Sequence, residues 1–308
     1  VLYNKGVTLM NLTDDINAER YFKKSIEIAP LNIDPYINLS SIYFRRSDIN
    51  ASKEMIMKAL KLKPNEPKSI FQLAVNLNYE GDYQKSEDLY KQALKHDDNY
   101  IKAHYNLSIN LLIQKKFNEF KEHYKWRVRD FELIKSANFV YDDFEIESIN
   151  KDDQLLFYYE QGIGDQIFFS RFLKKLNNKM VLVSSHKTKR FFKKNLEKIE
   201  VIGKDEYEKD YKHRGDIKKI NLASVIRFLN KVDIEKTRSI VFKPDQKDNT
   251  LIQKKYERLK VGISWKSRED NFGRSKGYPL FKLIESLNNK NNIELINLQY
   301  GSVEDELK

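Results

Sequence analysis

The chain has 308 residues, of which 40% are hydrophobic and 12% aromatic, which excludes a largely disordered protein and leaves room for two or three domains. Its 56 basic and 45 acidic residues give a net charge of +11, but the excess is spread along the chain, so no nucleic-acid partner is expected. Zero cysteine excludes disulfides and thiolate metal sites.

No apolar run approaches the roughly 18 residues of a membrane span, and no signal peptide follows Val1. A cytoplasmic protein is therefore expected. Val1 in place of Met leads to the expectation that the start of the chain is absent.

Self-similarity organises the first 130 residues. Gly6, Ser40, Ala74 and Ser108 are spaced 34 positions apart, and Ala18, Ser52 and Ser86 share that step. So do Ser25, Ala59 and Ala93, and Pro30 with Pro64, followed by Asp98. Large apolar residues lie between: Leu39 with Tyr43, Leu73 with Leu77, Leu107 with Leu111, then Phe22, Ile56, Tyr90 and Tyr124. Small residues let two antiparallel helices approach closely, and large ones fill the space between pairs. The pattern resembles the tetratricopeptide repeat, in four registers over 1–130, and implies an α-solenoid with a concave groove for a peptide or protein. The fourth unit departs, with Phe120 and Arg127 where small residues stood before. Terminal repeats change in this way to meet a neighbouring domain, so Trp126 and Arg127 are expected to pack the stack onto the α/β region.

After a linker at 131–150 the period changes. Strand-like runs, "QLLFYY", "MVLVSS", "IEVI", "KVGISW" and "IELINLQ", alternate with helix-like segments. The latter are "DQIFFSRFLKKL", "TKRFFKKNLEK", "NLASVIRFLNK", "LIQKKYERL" and "PLFKLIESLNN". Continuous apolar strands between amphipathic helices predict parallel sheets covered on both faces. The densest basic stretch, "HKTKRFFKKNLEK" from His186, reads as the solvated face of one such helix. The polar stretch around Pro244 separates a first α/β domain, 151–245, from a second at 255–308. Only one strand–helix–strand unit remains before Lys308, too little for an open parallel sheet, so the second domain is expected to be incomplete.

The stretch "YYEQGIGDQIFFSRFL", Tyr158 to Leu173, has the strand–glycine turn–helix layout of a phosphate-binding loop. Gly162 and Gly164 would permit close backbone approach or positive φ. The dinucleotide fingerprint fails, because Ile167 stands at the third glycine position and "SSHKT" lacks an acidic ribose ligand. The P-loop fails for want of Gly-Lys-Ser/Thr. Asp165 has two readings, a helix cap and a general base at the carboxyl end of the first strand. The five histidines show no metal-ligand spacing, and four are expected on solvated faces; His186, just past the second strand, is the candidate among them. No Asp-x-Asp pair or Gly-x-Ser-x-Gly elbow occurs.

Three segments in this order, "FNEFKEHYKWRVRDF", "YYEQGIGDQIFFSRFL" and "KVGISWKSREDNFGRSKGYPL", resemble bacterial tetratricopeptide-repeat proteins carrying a heptosyltransferase-like domain (glycosyltransferase family 9-like). "DIKKINLASVIRFL" and "INLQYGSVEDEL" resemble further blocks of that family. The resemblance implies two facing Rossmann-like domains of the GT-B type, the second truncated here. It implies metal-independent transfer of a sugar from a nucleotide-sugar donor to a hydroxyl of a glycan or protein acceptor, with no cofactor. Asp165 would be the catalytic base, with Gly162 and Gly164 beside it and Gln161 and His186 on the acceptor side. Ser264, Trp265 and Lys266 would follow the first strand of the donor domain, Lys266 neutralising the departing diphosphate. Arg274, Ser275 and Gln299 would complete the donor side. The competing reading is a non-catalytic scaffold, in which the repeats bind a partner protein and the α/β part does no chemistry.

Overall fold

In the computed structural model, which describes 1–129, 148–159, 162–237 and the backbone of strands at 259–263 and 293–297, the first 129 residues form four helix pairs. These are α1 (Leu2–Asn11) with α2 (Asp15–Ile28), and α3 (Asp34–Arg45) with α4 (Ile49–Leu62). Next come α5 (Pro67–Glu80) with α6 (Tyr83–His96), and α7 (Ile101–Ile113) with α8 (Phe117–Tyr124). The turns inside the pairs share one construction. Thr13, Ser47, Gly81 and Lys115 each take positive φ, reversing the chain. Asp14, Asp48 and Asp82 then cap the second helices, accepting from the backbone N–H of Asn17, Ala51 and Lys85 at 3.1, 3.0 and 3.3 Å.

The repeating small residues lie in the core. Ser40, Ala74, Ser108, Ala18, Ser52 and Ser86 are all fully buried. Gly6 sits so close to Phe22 that an added Cβ would meet the ring at 2.7 Å. Phe22, Ile56 and Tyr90 fill the spaces between pairs.

A four-stranded, all-parallel sheet comes next in the chain, built from β1 (Gln154–Tyr158), β2 (Met180–Val183), β3 (Glu200–Ile202) and β4 (Ile217–Asn221) in the order β3-β2-β1-β4. Alternate residues bury opposite faces. Leu155, Phe157 and Leu182 share one core with Phe172, Leu173 and Phe192. These last come from α9 (Ile163–Leu173) and α10 (His186–Asn195). Leu156, Tyr158, Val181 and Val183 share the other with Tyr207 of α11 (Lys204–Asp210).

Three elements differ from the sequence reading, the first being α11, which is not among the predicted helices. β4 is not among the predicted strands, because Lys218 and Lys219 interrupt its apolar pattern; it is the sheet edge, where lysine is common. The segment "NLASVIRFLNK", expected to be one amphipathic helix, is a 3-10 helix over Leu222–Phe228 followed by α12 (Lys231–Lys236). Leu222 to Arg227 are all buried, so no solvent-facing stripe exists. With three residues per turn, Leu222 and Val225 face the sheet core. Ile226 instead enters the solenoid core with Tyr90, Leu111, Phe120 and Tyr124. Arg127, 1% exposed, donates from Nη2 to Ser224 Oγ at 2.7 Å. The fourth repeat's large residues are thus the seat of the 3-10 helix.

The chain divides into two compact units, Val1–Lys243 and Pro244–Lys308. In the second, β5 (Leu259–Ile263) pairs parallel with β6 (Ile293–Asn297). The expected helices "LIQKKYERL" and "PLFKLIESLNN" lie outside the described residues.

Candidate functional site

β1 is flanked by β2 on one side and β4 on the other, so successive crossovers leave it in opposite directions. Open α/β sheets bind ligands at the carboxyl ends of strands where this reversal occurs. Here the reversal is bordered by Tyr158, by Gly162–Asp165 at the start of α9, and by Asn221 at the end of β4.

Gly162 is the N-cap of α9, with φ −59° and ψ 171°. Its carbonyl accepts the first helical bond from Gln166 N–H at 3.1 Å. Neither loop glycine uses positive φ; among the described glycines only Gly81 does. This corrects one of the two roles expected for Gly162 and Gly164. What glycine leaves at position 164 is open space: a Cβ there would meet nothing within 4 Å. Asp165, at the third helical position, is exposed. Its Oδ2 lies within 3.7 Å of where a Gly162 Cβ would stand, so the carboxylate folds back over the helix terminus. That placement suits the helix dipole and also presents the carboxylate to solvent at the strand ends.

Beneath the loop runs a buried polar chain that the sequence reading missed. Thr188 Oγ1 donates to Gln166 Oε1 at 2.8 Å, and lies 2.7 Å from Ser184 Oγ and 2.8 Å from Ser185 Oγ. Gln166, Ser184 and Thr188 are buried, and they tie the amino ends of α9 and α10 together. The one sequence signal is a run of small hydroxyl residues after a strand, which is common in loops. His186 opens α10 and is exposed. Tyr159 stacks on Tyr158 with centroids 5.1 Å apart, and burial pushes the Tyr158 hydroxyl above its usual range. Gln161, Ser264, Trp265, Lys266, Arg274, Ser275 and Gln299 lie outside the described residues.

The repeats carry the second candidate surface. Their first helices touch through side chains of matching register: Asn38 Nδ2 donates to the Tyr3 hydroxyl at 3.3 Å, and Ser41 Oγ to Gln72 Oε1 at 3.2 Å. Phe71 packs on Tyr100 with centroids 5.0 Å apart. At the end of the stack His104 Nε2 lies 2.9 Å from the Asp98 carbonyl, and its Nδ1 2.8 Å from His123 Nδ1. A carbonyl only accepts, so His104 carries its proton on Nε2 and His123 donates to its Nδ1. Trp126 lies parallel to the His104 ring at 4.0 Å. Burial, then the neighbouring His104, push His123 down to about 4.

Among the described residues no group of three or more His, Asp or Glu is arranged to hold a metal, and no helix is long and apolar enough to cross a membrane.

Residues 1–30 and 33–66 match the family model described as tetratricopeptide repeat. The chain therefore carries tetratricopeptide repeats, and the two later helix pairs continue the same spacing. No curated protein sequence matches. Among solved structures, a MamA protein is 18% identical over 43% of this chain and 72% of its own, with a TM-score of 0.36. The first TPR of Spaghetti (RPAP3), bound to the HSP90 peptide SRMEEVD, is 18% identical over 37% of this chain and 90% of its own, with a TM-score of 0.35. Pseudomonas aeruginosa pilF is 19% identical over 42% and 59%, with a TM-score of 0.38.

Proposed function

We propose that this protein is an interaction scaffold whose tetratricopeptide repeats hold a protein or peptide partner. The observation that carries the reading is the stack itself. Four helix pairs in one 34-residue register spend their large residues on the spaces between pairs, leaving a continuous row of half-buried side chains along the first helices. Such a row has packing surface but no chemistry of its own. The fourth repeat is seated on the 3-10 helix through Arg127 and Ile226, so the α/β part anchors the stack at one end. To test the scaffold role, the full chain is immobilised and challenged with a peptide array at physiological salt. Saturable capture that is lost on Phe71→Glu, with the far-UV spectrum preserved, is expected. Absence of any saturable ligand would remove the reading.

A second reading rests on a different observation: Asp165 is exposed at the point where the strand order reverses, over open space at Gly164. In it the protein is a metal-independent glycosyltransferase of GT-B type. Asp165 takes the proton of an acceptor hydroxyl, whose oxygen displaces the nucleotide diphosphate from the sugar, and Lys266 neutralises the leaving group. Ser264, Trp265, Arg274, Ser275 and Gln299 hold the donor, and Gln161 and His186 flank the acceptor. A panel of nucleotide sugars assayed for nucleotide release decides it. Turnover should fall at least a hundredfold in Asp165→Asn; turnover that survives the substitution refutes Asp165 as the base.

A further inference from the structure

The core on one face of the four-stranded sheet is left open at the amino ends of its strands. A cavity of about 450 Å³ lies there, between the carboxyl ends of α9 and α10. Met180 begins β2 and Ile199 precedes β3, so the cavity is at the opposite edge of the sheet from Gly162–Asp165. Its floor is made by Leu176, Met180, Leu196 and Ile199, all packed into or against that core. A cavity of this size is in the usual range for small organic ligands.

The rim has the opposite character. Lys174, Lys194 and Lys198 stand on it with one carboxylate, Glu197, so three positive charges meet one negative and the formal charge is +2. Two helix carboxyl ends also meet there, each carrying a partial charge of about −0.5. About one positive charge is left over, so the lysines do more than neutralise the helix ends. Other lysines near this sheet are matched by carboxylates, as in Lys189–Glu206 and Lys212–Glu208. Lys174 and Lys198 are exposed and form no ion pair among the described residues.

We infer that this cavity binds a small organic monoanion with an apolar body, of the medium-chain carboxylate class. The hydrocarbon covers the four apolar side chains and displaces water from them. The carboxylate sits at the mouth among the three ammonium groups, where charge-assisted hydrogen bonds form. Both halves of the site select the ligand. A wholly polar anion leaves the floor wet, and a neutral chain leaves the surplus positive charge unmatched. Size sets the upper bound: at about 30 Å³ for each water-sized group, the cavity takes up to about 15 non-hydrogen atoms. A site recessed between two helix ends admits a single molecule and not a flat lipid surface. The proposal is independent of both functional readings, since it uses no residue of the repeats or of the strand reversal.

The test is calorimetric titration of the full chain with decanoate, set against decanol and decylammonium, which have the same chain and a different charge. Saturable one-to-one binding of decanoate is expected, at least about tenfold tighter than that of decanol, with no binding of decylammonium. Lys174→Glu and Lys198→Glu are each expected to weaken decanoate about tenfold or more. Lys187→Glu makes the same change in net charge at the other end of α10, away from the cavity, and should leave the affinity within about twofold. Thermal melts of each variant separate lost binding from lost fold, and the decanol and decylammonium arms need no variant. Decanol that binds as tightly as decanoate overturns the proposal, as does an equal loss of affinity in Lys187→Glu. Decanoate that fails to saturate also overturns it. If the chain then sediments with phosphatidylglycerol vesicles, this basic rim is a membrane-docking surface instead.

Discussion

Thr13, Ser47, Gly81 and Lys115 do one job with four different side chains. Each takes φ between 61° and 87° at the turn inside its repeat. Left-handed backbone costs an L-residue roughly 1–2 kcal/mol and glycine almost nothing. Nothing lies within 4 Å of the Cβ that Gly81 lacks, so the backbone term acts alone there. Gly81→Ala should therefore lower stability by about 1 kcal/mol. Thr13→Gly should raise it by up to about 1 kcal/mol, because a β-branched residue is the least suited to this region. Chemical denaturation of the two variants reads both signs. The histidine pair adds a pH dependence. Unfolded, His123 takes a proton near its ordinary 6.5; folded, it does so only near 4. Between those values the unfolded chain binds more protons, so stability is full above about 6.5 and falls as pH drops toward 4. Lys91 opposes the proton as burial does, and together they outweigh Glu119 and Glu122, which favour it. The melting temperature of His123→Gln should vary less than that of the parent chain over this window.

The 3-10 helix Leu222–Phe228 is the element on which the first unit turns. One side belongs to the sheet core through Leu222 and Val225, and the other to the solenoid core through Ile226. Ile226→Ala should cost about 2–5 kcal/mol, the usual range for a large aliphatic side chain removed from a packed interior. Ile234→Ala should cost less, since that residue only borders the same cluster. Legibility in sequence followed the same division. Helices with one solvent face announced themselves by period, as α10 did with its lysines outward, and β1 and β2 by unbroken apolar runs. β4, an edge strand bearing two lysines, and the 3-10 helix, buried on every side, carry no such contrast. At the loop, the glycines and Asp165 were visible as residue types. The Gln166–Thr188–Ser184 chain was not, because Gln166 lies 22 residues from Thr188 and meets it only when β1 and β2 pair.

At the scale of the molecule, the repeats and the first sheet share buried surface within one unit, Val1–Lys243. They should unfold in one calorimetric transition. Ile226→Asp, which places a carboxylate in the shared core, should split that transition in two; separate transitions of the repeats and of the first sheet in the parent chain would show that the shared core does not couple them. Local chemistry alone determined the repeat: a small residue every 34 positions dictates where helices approach, whatever lies further along the chain. Unbroken apolar runs between amphipathic helices likewise determined that buried parallel strands come after it. Folding in three dimensions decided the rest. Strand order put Gly162–Asp165 at the reversal beside β1, and packing turned Phe120 and Arg127 into a seat for a segment about a hundred residues away. Long-range contacts of this kind leave no periodic trace, because the energy that selects them is burial against a partner surface and not the preference of any short stretch.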